Sequence, residues 1–376
     1  MKILFTGGGT GGHFYPIIAI AEKLNQIIDQ EKIIQSRLYF MSTNEYDKEA
    51  LLKNGLVFVG ISTGKMRLYP SIQNFFDYFK IFFGAISAIF KIFSIYPDVI
   101  VGKGGYASFP ALFAARALRI PVIIHESDSV PGKVNKWAGK FAKRVAISFA
   151  EASEYFPKEK IALTGVPIRQ EIIQSSDKGV YEYLKLDPGR PTILILGGSQ
   201  GAKIINETIL ETLPELLNKY QIIHQVGNKN IEEIESYSSV ILEKHPHKDE
   251  YRPVDYLNPL AIKMSAGAAN LVISRAGASA IFEIAAWGTP SIIIPISKSN
   301  GDHQRKNAFN YARSGACVVL EETNLEPHIL IAEINRIMDN KMEIEKMKNG
   351  ARSFAKFDAS EKIAREIINL SLEHEK

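Results

Sequence analysis

The sequence predicts an α/β protein made of two doubly wound, Rossmann-like domains, each built on a parallel sheet. Three observations carry that prediction. Apolar runs rich in β-branched residues alternate with amphipathic stretches throughout, the pattern of βα units on a parallel sheet. The pattern restarts partway along, where TILIL and GGSQGA mirror the opening KILFT and GGGTGG as strand, glycine loop and helix. The length, 376 residues, exceeds one ordinary core and suits two.

In the first half, strands are expected at residues 2–6, 37–41, 99–102, 122–125 and 145–148, each feeding a loop and then a helical stretch. The segment GVPIR, residues 165–169, and a polar stretch through Asp187, Pro188 and Gly189 lead into the second half. There the strands are expected within PTILIL and at 222–225, 271–274, 291–294 and 317–320. Open α/β sheets bind ligands at the carboxyl ends of their strands, so a ligand cleft is expected between the domains. The expected boundaries are 1–164 and 165–357, with a closing helical segment, 358–376, that has no strand after it and returns to the first domain.

Hydrophobic residues make up 46% and charged residues 23%, an ordinary globular balance that excludes a disordered chain. A net charge of +4 falls well short of the basic surface of a nucleic-acid binder, so no nucleic-acid partner is expected. The lone cysteine, Cys317, excludes an internal disulfide and fits a reducing compartment. The opening MKILF runs straight into a glycine loop without a separate apolar export segment, so no export is expected. Residues 72–96 depart from this average, with seven phenylalanines and only Asp77, Lys80 and Lys91 charged. Their longest uncharged run, 81–90, is ten residues. About 20 are needed to cross a bilayer, so no span is expected.

Chemistry concentrates in the loops. In GGGTGGH, residues 7–13, Gly7, Gly9 and Gly12 satisfy GxGxxG after a strand and before a helix, which allows close backbone approach to a diphosphate. A dinucleotide would also need an acid at the end of the second strand, which instead reads YFMST, so no nicotinamide or flavin cofactor is expected. GxxxxGK followed by Ser or Thr does not occur, which excludes the usual phosphate-loop triphosphatase. A tight turn alone needs fewer than the five glycines present, because each one loses backbone entropy on folding.

His13 falls in the first helical turn, with Pro16 just inside. The positive end of the helix dipole disfavours imidazolium and favours a neutral ring able to accept a proton. The same spacing also suits a histidine that merely caps the loop. The second loop, GGSQGAK at 197–203, offers backbone N–H groups with Ser199 and Gln200 for anion binding, or serves as a structural turn. In NLVISRAGASAIFEIAAWGTP, residues 270–290, a strand ends at Ser274 and a turn follows through Arg275 to Gly277. Glu283 then lies in the first turns of the next helix, where a carboxylate can accept from two vicinal ribose hydroxyls or simply complement the dipole. Neither HExxH nor DxD occurs, so no metal is expected. Leaving-group charge would fall to Arg169, Ser199 and helix N-termini.

Taken together, GGGTGGH, HESDSVPGKVNKW, GVPIR, GGSQGA, SRAGAS and DHQRKNA, in order between residue 2 and about residue 359, resemble the motifs of the MurG family. Its members are bacterial transferases that move N-acetylglucosamine from UDP-GlcNAc onto undecaprenyl-diphospho-N-acetylmuramoyl-pentapeptide, lipid I, giving lipid II. The resemblance implies the GT-B fold, a donor held mainly by the second domain and an acceptor held by the first. It implies a peripheral place on the cytoplasmic face of the plasma membrane, alongside other proteins of cell-wall synthesis. It also implies Thr10, Gly11 and Gly12 at the cleft, Arg169 and Ser199 on the donor diphosphate, and Val254, where the family usually has isoleucine, by the uracil. Ala278, Ser279, Ala280, Ile281, Phe282 and Glu283 would surround the sugar nucleotide, with Glu283 on ribose, and Gln304 would reach the donor sugar.

The resemblance points to an inverting, metal-independent transfer with His13 as general base, assisted or replaced by Glu126 or Asp128. One departure matters: the family usually reads HEQN where this chain reads His125, Glu126, Ser127, Asp128. An ionised aspartate only accepts hydrogen bonds and repels a nearby diphosphate, so Asp128 is a doubtful ligand for it and a second candidate base. The aromatic segment 72–96, with Lys65, Arg67, Lys80 and Lys91, suits an anionic membrane surface, although phenylalanine at helical spacing also suits a core helix. Rival readings on the same architecture are a UDP-sugar 2-epimerase, a transferase glycosylating diacylglycerol and a non-catalytic UDP-sugar-binding membrane subunit. Both glycine loops, His13 and Glu283 argue against the last.

Overall fold

The computed structural model describes residues 1–374 other than 34–35, 65–71, 174–178, 199–200 and 298. Ser199, Gln200, Lys65 and Arg67 therefore lie outside the described residues. The chain divides into two compact units, Met1–Arg169 with Lys356–Lys376, and Gln170–Ala355.

In the first unit seven strands form one sheet: β1 Lys2–Thr6, β2 Arg37–Ser42, β3 Leu56–Gly60, β4 Val99–Gly102, β5 Val122–Glu126, β6 Arg144–Ile147 and β7 Ile161–Leu163. Their order is β3-β2-β1-β4-β5-β6-β7, and every neighbouring pair is parallel. Strands β3 and β7, which form the two edges, are not among the strands expected from the sequence. Strand β7 is only three residues long, and β3 reads LVFVG, an apolar run in which only Leu56 is buried.

Side-chain alternation divides the core between the two faces of this sheet. Ile3, Phe5, Val99 and Val101 pack on one face with helices Gly11–Gln30 and Ala359–His374. Leu4, Ile100 and Ile124 pack on the other with helices Ile72–Ile95 and Phe109–Leu118. The closing helix thus belongs to the first unit, to which it contributes Ile363, Ala364, Ile367, Ile368 and Leu370.

Helix Ile72–Ile95 connects β3 to β4 and buries Ala85, Ala88 and Ile92. Six phenylalanines point the other way: Phe75, Phe79, Phe82, Phe83, Phe90 and Phe93 are all exposed. The core-helix alternative for these rings does not hold, because Ala85, Ala88 and Ile92 face the domain and these rings face outward. The length expectation also needs correction. Lys80 and Lys91 interrupt the uncharged run but not the helix, and Asp77–Ile95, at 19 residues and mean hydropathy 1.6, is long and apolar enough to cross a membrane by length and composition. The helix is nonetheless a layer of its domain, and Lys91 Nζ donates to the Gly60 carbonyl at the end of β3.

The second unit repeats the plan with six strands: β8 Thr192–Leu196, β9 Gln221–Gln225, β10 Tyr251–Val254, β11 Ala269–Ser274, β12 Ser291–Ile293 and β13 Cys317–Val319. Their order is β10-β9-β8-β11-β12-β13, again parallel throughout. Strand β10 is unanticipated because it contains Pro253, a residue that a sheet tolerates at its edge.

Candidate active site

Ligands of open parallel sheets gather where strand order reverses. In the first unit the reversal lies between β1 and β4, so the loops leaving β1, β4 and the adjacent β5 share one end of the sheet. The Lys103 N–H donates to the Thr6 carbonyl at 2.8 Å, joining the loops after β1 and β4. Glycine is obligatory in that joint. Gly8 has φ +137°, and a Cβ there would lie 2.4 Å from Ser42 Oγ. A Cβ on Gly105, at φ +78°, would lie 3.0 Å from the Gly8 carbonyl.

Helix Gly11–Gln30 opens from this loop. Its first N–H groups have no helical carbonyl behind them, which suits an anion. Thr10 sits at the N-cap in extended conformation, yet its side chain does not cap the helix. Its Oγ1 lies 2.9 Å from His13 Nδ1 instead. When Nδ1 carries the proton and donates to Thr10, the lone pair falls on Nε2. His13 is half-buried, whereas Gly9, Thr10 and Gly12 are exposed.

The HESD stretch closes the other side. His125 is fully buried, with Nε2 3.0 Å from the Gly165 carbonyl, and burial, reinforced by the Lys103 charge, holds its pKa well below the usual value. Neutral His125 therefore donates from Nε2 to Gly165. Glu126 is also buried: its Oε1 accepts from the Asp128 N–H at 3.0 Å. Its Oε2 accepts from Asn135 Nδ2 at 2.9 Å and from the Gly132 N–H at 3.2 Å. Burial, with the Asp128 carboxylate, raises Glu126 to about 7. Three donors thus engage Glu126 as a staple of its own loop, an arrangement that fits loop shaping better than proton abstraction. Asp128 is half-buried beside it.

Lys103, absent from the sequence-based expectations, occupies the centre. It is buried, its Nζ donates to Ser127 Oγ, and burial lowers it to about 8 against the opposing influence of Glu126 and Asp128. The available signal was KGGY directly after an expected strand, a third glycine loop.

Arg169 belongs to this unit as well. Its guanidinium stacks 3.9 Å from the Tyr15 ring centroid, and the residue is buried.

In the second unit the order reverses between β8 and β11. Helix Ala278–Trp287 begins there after Gly277, which supplies no side-chain cap. Ala278, Ile281 and Phe282 are buried, so they can offer a ligand only backbone groups, whereas Ser279, Ala280 and Glu283 are half-buried. Val254 ends β10, and its carbonyl accepts from the Val226 N–H at 2.9 Å. Gln304 Oε1 accepts from the Ile296 N–H at 3.1 Å, which fixes the direction of its amide. Arg275, within SRAGAS, is committed to structure, with Nη2 2.6 Å from Glu322 Oε1. Burial alone would raise Glu322, but Ser297 and Arg275 outweigh it and hold the carboxyl below its ordinary value.

Two parallel-sheet α/β domains with glycine loops at the carboxyl ends of their central strands make up the GT-B fold, and the family models place the chain among its glycosyltransferases. The N-terminal domain of glycosyltransferase family 28 matches residues 3–147 and the C-terminal domain of that family matches residues 192–363. The chain belongs to glycosyltransferase family 28. It is 37% identical to UDP-N-acetylglucosamine--N-acetylmuramyl-(pentapeptide) pyrophosphoryl-undecaprenol N-acetylglucosamine transferase 2 of Bacillus cereus, over 98% of this chain and 99% of the relative. A crystal structure of MurG from Acinetobacter baumannii is similar with TM-score 0.72 and 26% identity, covering 98% of this chain and 99% of that one. A UDP-GlcNAc 2-epimerase from Neisseria meningitidis, bound to UDP-GlcNAc, aligns with TM-score 0.67 and 16% identity over 98% and 100% of the two chains. That second likeness is one of fold alone.

Proposed function

We propose that this chain transfers N-acetylglucosamine from UDP-N-acetylglucosamine to undecaprenyl-diphospho-N-acetylmuramoyl-pentapeptide, with inversion and without a metal. The observation that carries this reading is the end-to-end likeness, at 37% identity, to a transferase named for that donor and acceptor. The epimerase reading has only the shared fold behind it.

In this reading the first domain receives the acceptor. Its diphosphate meets the N–H groups around Thr10, Gly11 and Gly12, and its 4-hydroxyl gives a proton to His13 Nε2 as the oxygen attacks the anomeric carbon. The bond from that carbon to the UDP oxygen breaks, and UDP leaves. Donor groups come from Val254 beside uracil, Glu283 on ribose, the backbone of residues 278–282 and Gln304 on the sugar. Arg169 and Ser199 offset the departing charge. Placement of both substrates, together with charge stabilisation, supplies most of the rate. Glu126 shapes the loop, and Asp128 is the second candidate base.

The exposed rings of helix Ile72–Ile95 give the protein a peripheral seat on an anionic leaflet, where the lipid acceptor resides. Lys80 stands beside them on the same helix. Incubating the protein with radiolabelled UDP-GlcNAc and lipid I tests the reading: label moves into lipid II. Epimerised sugar nucleotide, labelled glycolipid or donor binding without transfer would each overturn it in favour of a rival.

A further inference from the structure

A buried lysine beside two carboxylates needs an explanation that fold stability does not supply. An amine taken out of water is destabilising unless compensated, and a well-packed apolar residue serves a core as well or better. Lys103 is 2% exposed and sits where the loops after β1, β4 and β5 converge. Its Cβ would lie 3.0 Å from a Cβ built on Gly7, so its stem abuts the glycine loop. Its Nζ reaches Ser127, which separates Glu126 from Asp128. The neighbouring Gly104 packs on Asn135, the same amide that holds Glu126. The charged or titratable groups whose fields reach Lys103 are Glu126, Asp128 and His125.

We propose that Lys103 is a positioning residue for the anionic acceptor: its ammonium, tied to Ser127, holds the loop after β5 against the glycine loop and offsets the Asp128 carboxylate, so that a diphosphate can approach. This rests on the acceptor reading of the first domain. Without Lys103, the Asp128 charge loses this offset and repels an anionic substrate more strongly, and loop 126–132 loses its tie to β4. With Asp128 made neutral as well, that added repulsion disappears.

The test is steady-state transfer from UDP-GlcNAc to lipid I, with each substrate varied in turn. K103M is expected to raise the acceptor KM at least about tenfold while the donor KM stays within about twofold. K103Q, which keeps a hydrogen-bonding group but carries no charge, is expected to behave like K103M. Adding D128N to either variant is expected to recover most of the lost acceptor affinity. If the single variants do not fold, the double variants, in which the charges balance again, are expected to fold and turn over. An unchanged acceptor KM in K103M, or double variants no better than the singles, overturns the proposal alone. A wild-type protein that never labels lipid I overturns the acceptor reading and this proposal with it.

Discussion

His13 is the residue on which the proposed chemistry turns. General-base catalysis contributes roughly 10²–10⁴-fold. H13A is therefore expected to lower kcat by about that factor with both KM values within a few-fold, and full turnover in a folded H13A protein would remove His13 from the role. T10V, which deletes the Oγ1 set 2.9 Å from Nδ1, is expected to lower kcat by less than H13A does, because the imidazole stays while the contact that orients it is lost. Glu126 gives a separate, thermodynamic prediction. Its carboxyl is raised from 4.5 to about 7 in the fold, so between those values the folded protein holds a proton that the unfolded chain has released. Stability from this group is fully present below about 4.5 and is lost as pH rises through about 7. In E126Q, thermal melts between pH 5 and 8 are expected to show a flatter decline than wild type, and an identical slope would contradict the assignment.

At the scale of elements, helix Ile72–Ile95 divides two tasks between its faces. Ala85, Ala88 and Ile92 bury against the domain, leaving a row of aromatic rings outside. Burying such a ring in an apolar phase contributes roughly 1.5–3 kcal/mol. Replacing Phe75, Phe79 and Phe82 by serine is thus expected to weaken flotation with anionic vesicles strongly while leaving the melting temperature nearly unchanged. Undiminished vesicle binding would count against the membrane seat. Helix Ala359–His374 illustrates the opposite case. It supplies four large aliphatic side chains to the first unit, each worth roughly 1.5–3 kcal/mol when buried. Their sum is comparable to the net stability of a whole domain, about 5–15 kcal/mol. Truncation after Ala355 is expected to unfold the first unit, seen as lost protection of its amides from hydrogen exchange, while the second unit keeps its own.

For the molecule as a whole, the central strands were legible because they are buried on both faces. ILF within KILFT and ILIL within TILIL read as apolar runs ahead of glycine loops. Of the edge strands only β13 was legible: β7 is too short, a proline interrupts β10, and β3, although its LVFVG is apolar, was missed. Within the site, His13 and Glu126 stood out as parts of local motifs. Lys103 did not, because its meaning lies in a contact with Ser127, 24 residues away in the sequence. The outward direction of the phenylalanine row was likewise hidden, since periodicity finds a stripe but not what it faces.

The division of labour between two domains, one for the soluble donor and one for the lipid acceptor, is the central claim. It is tested most directly by giving the purified protein radiolabelled UDP-GlcNAc and lipid I embedded in anionic vesicles. Label is expected in a lipid-soluble disaccharide product, with UDP released in equal amount. Recovery of the label only as sugar nucleotide, epimerised or unchanged, would contradict it.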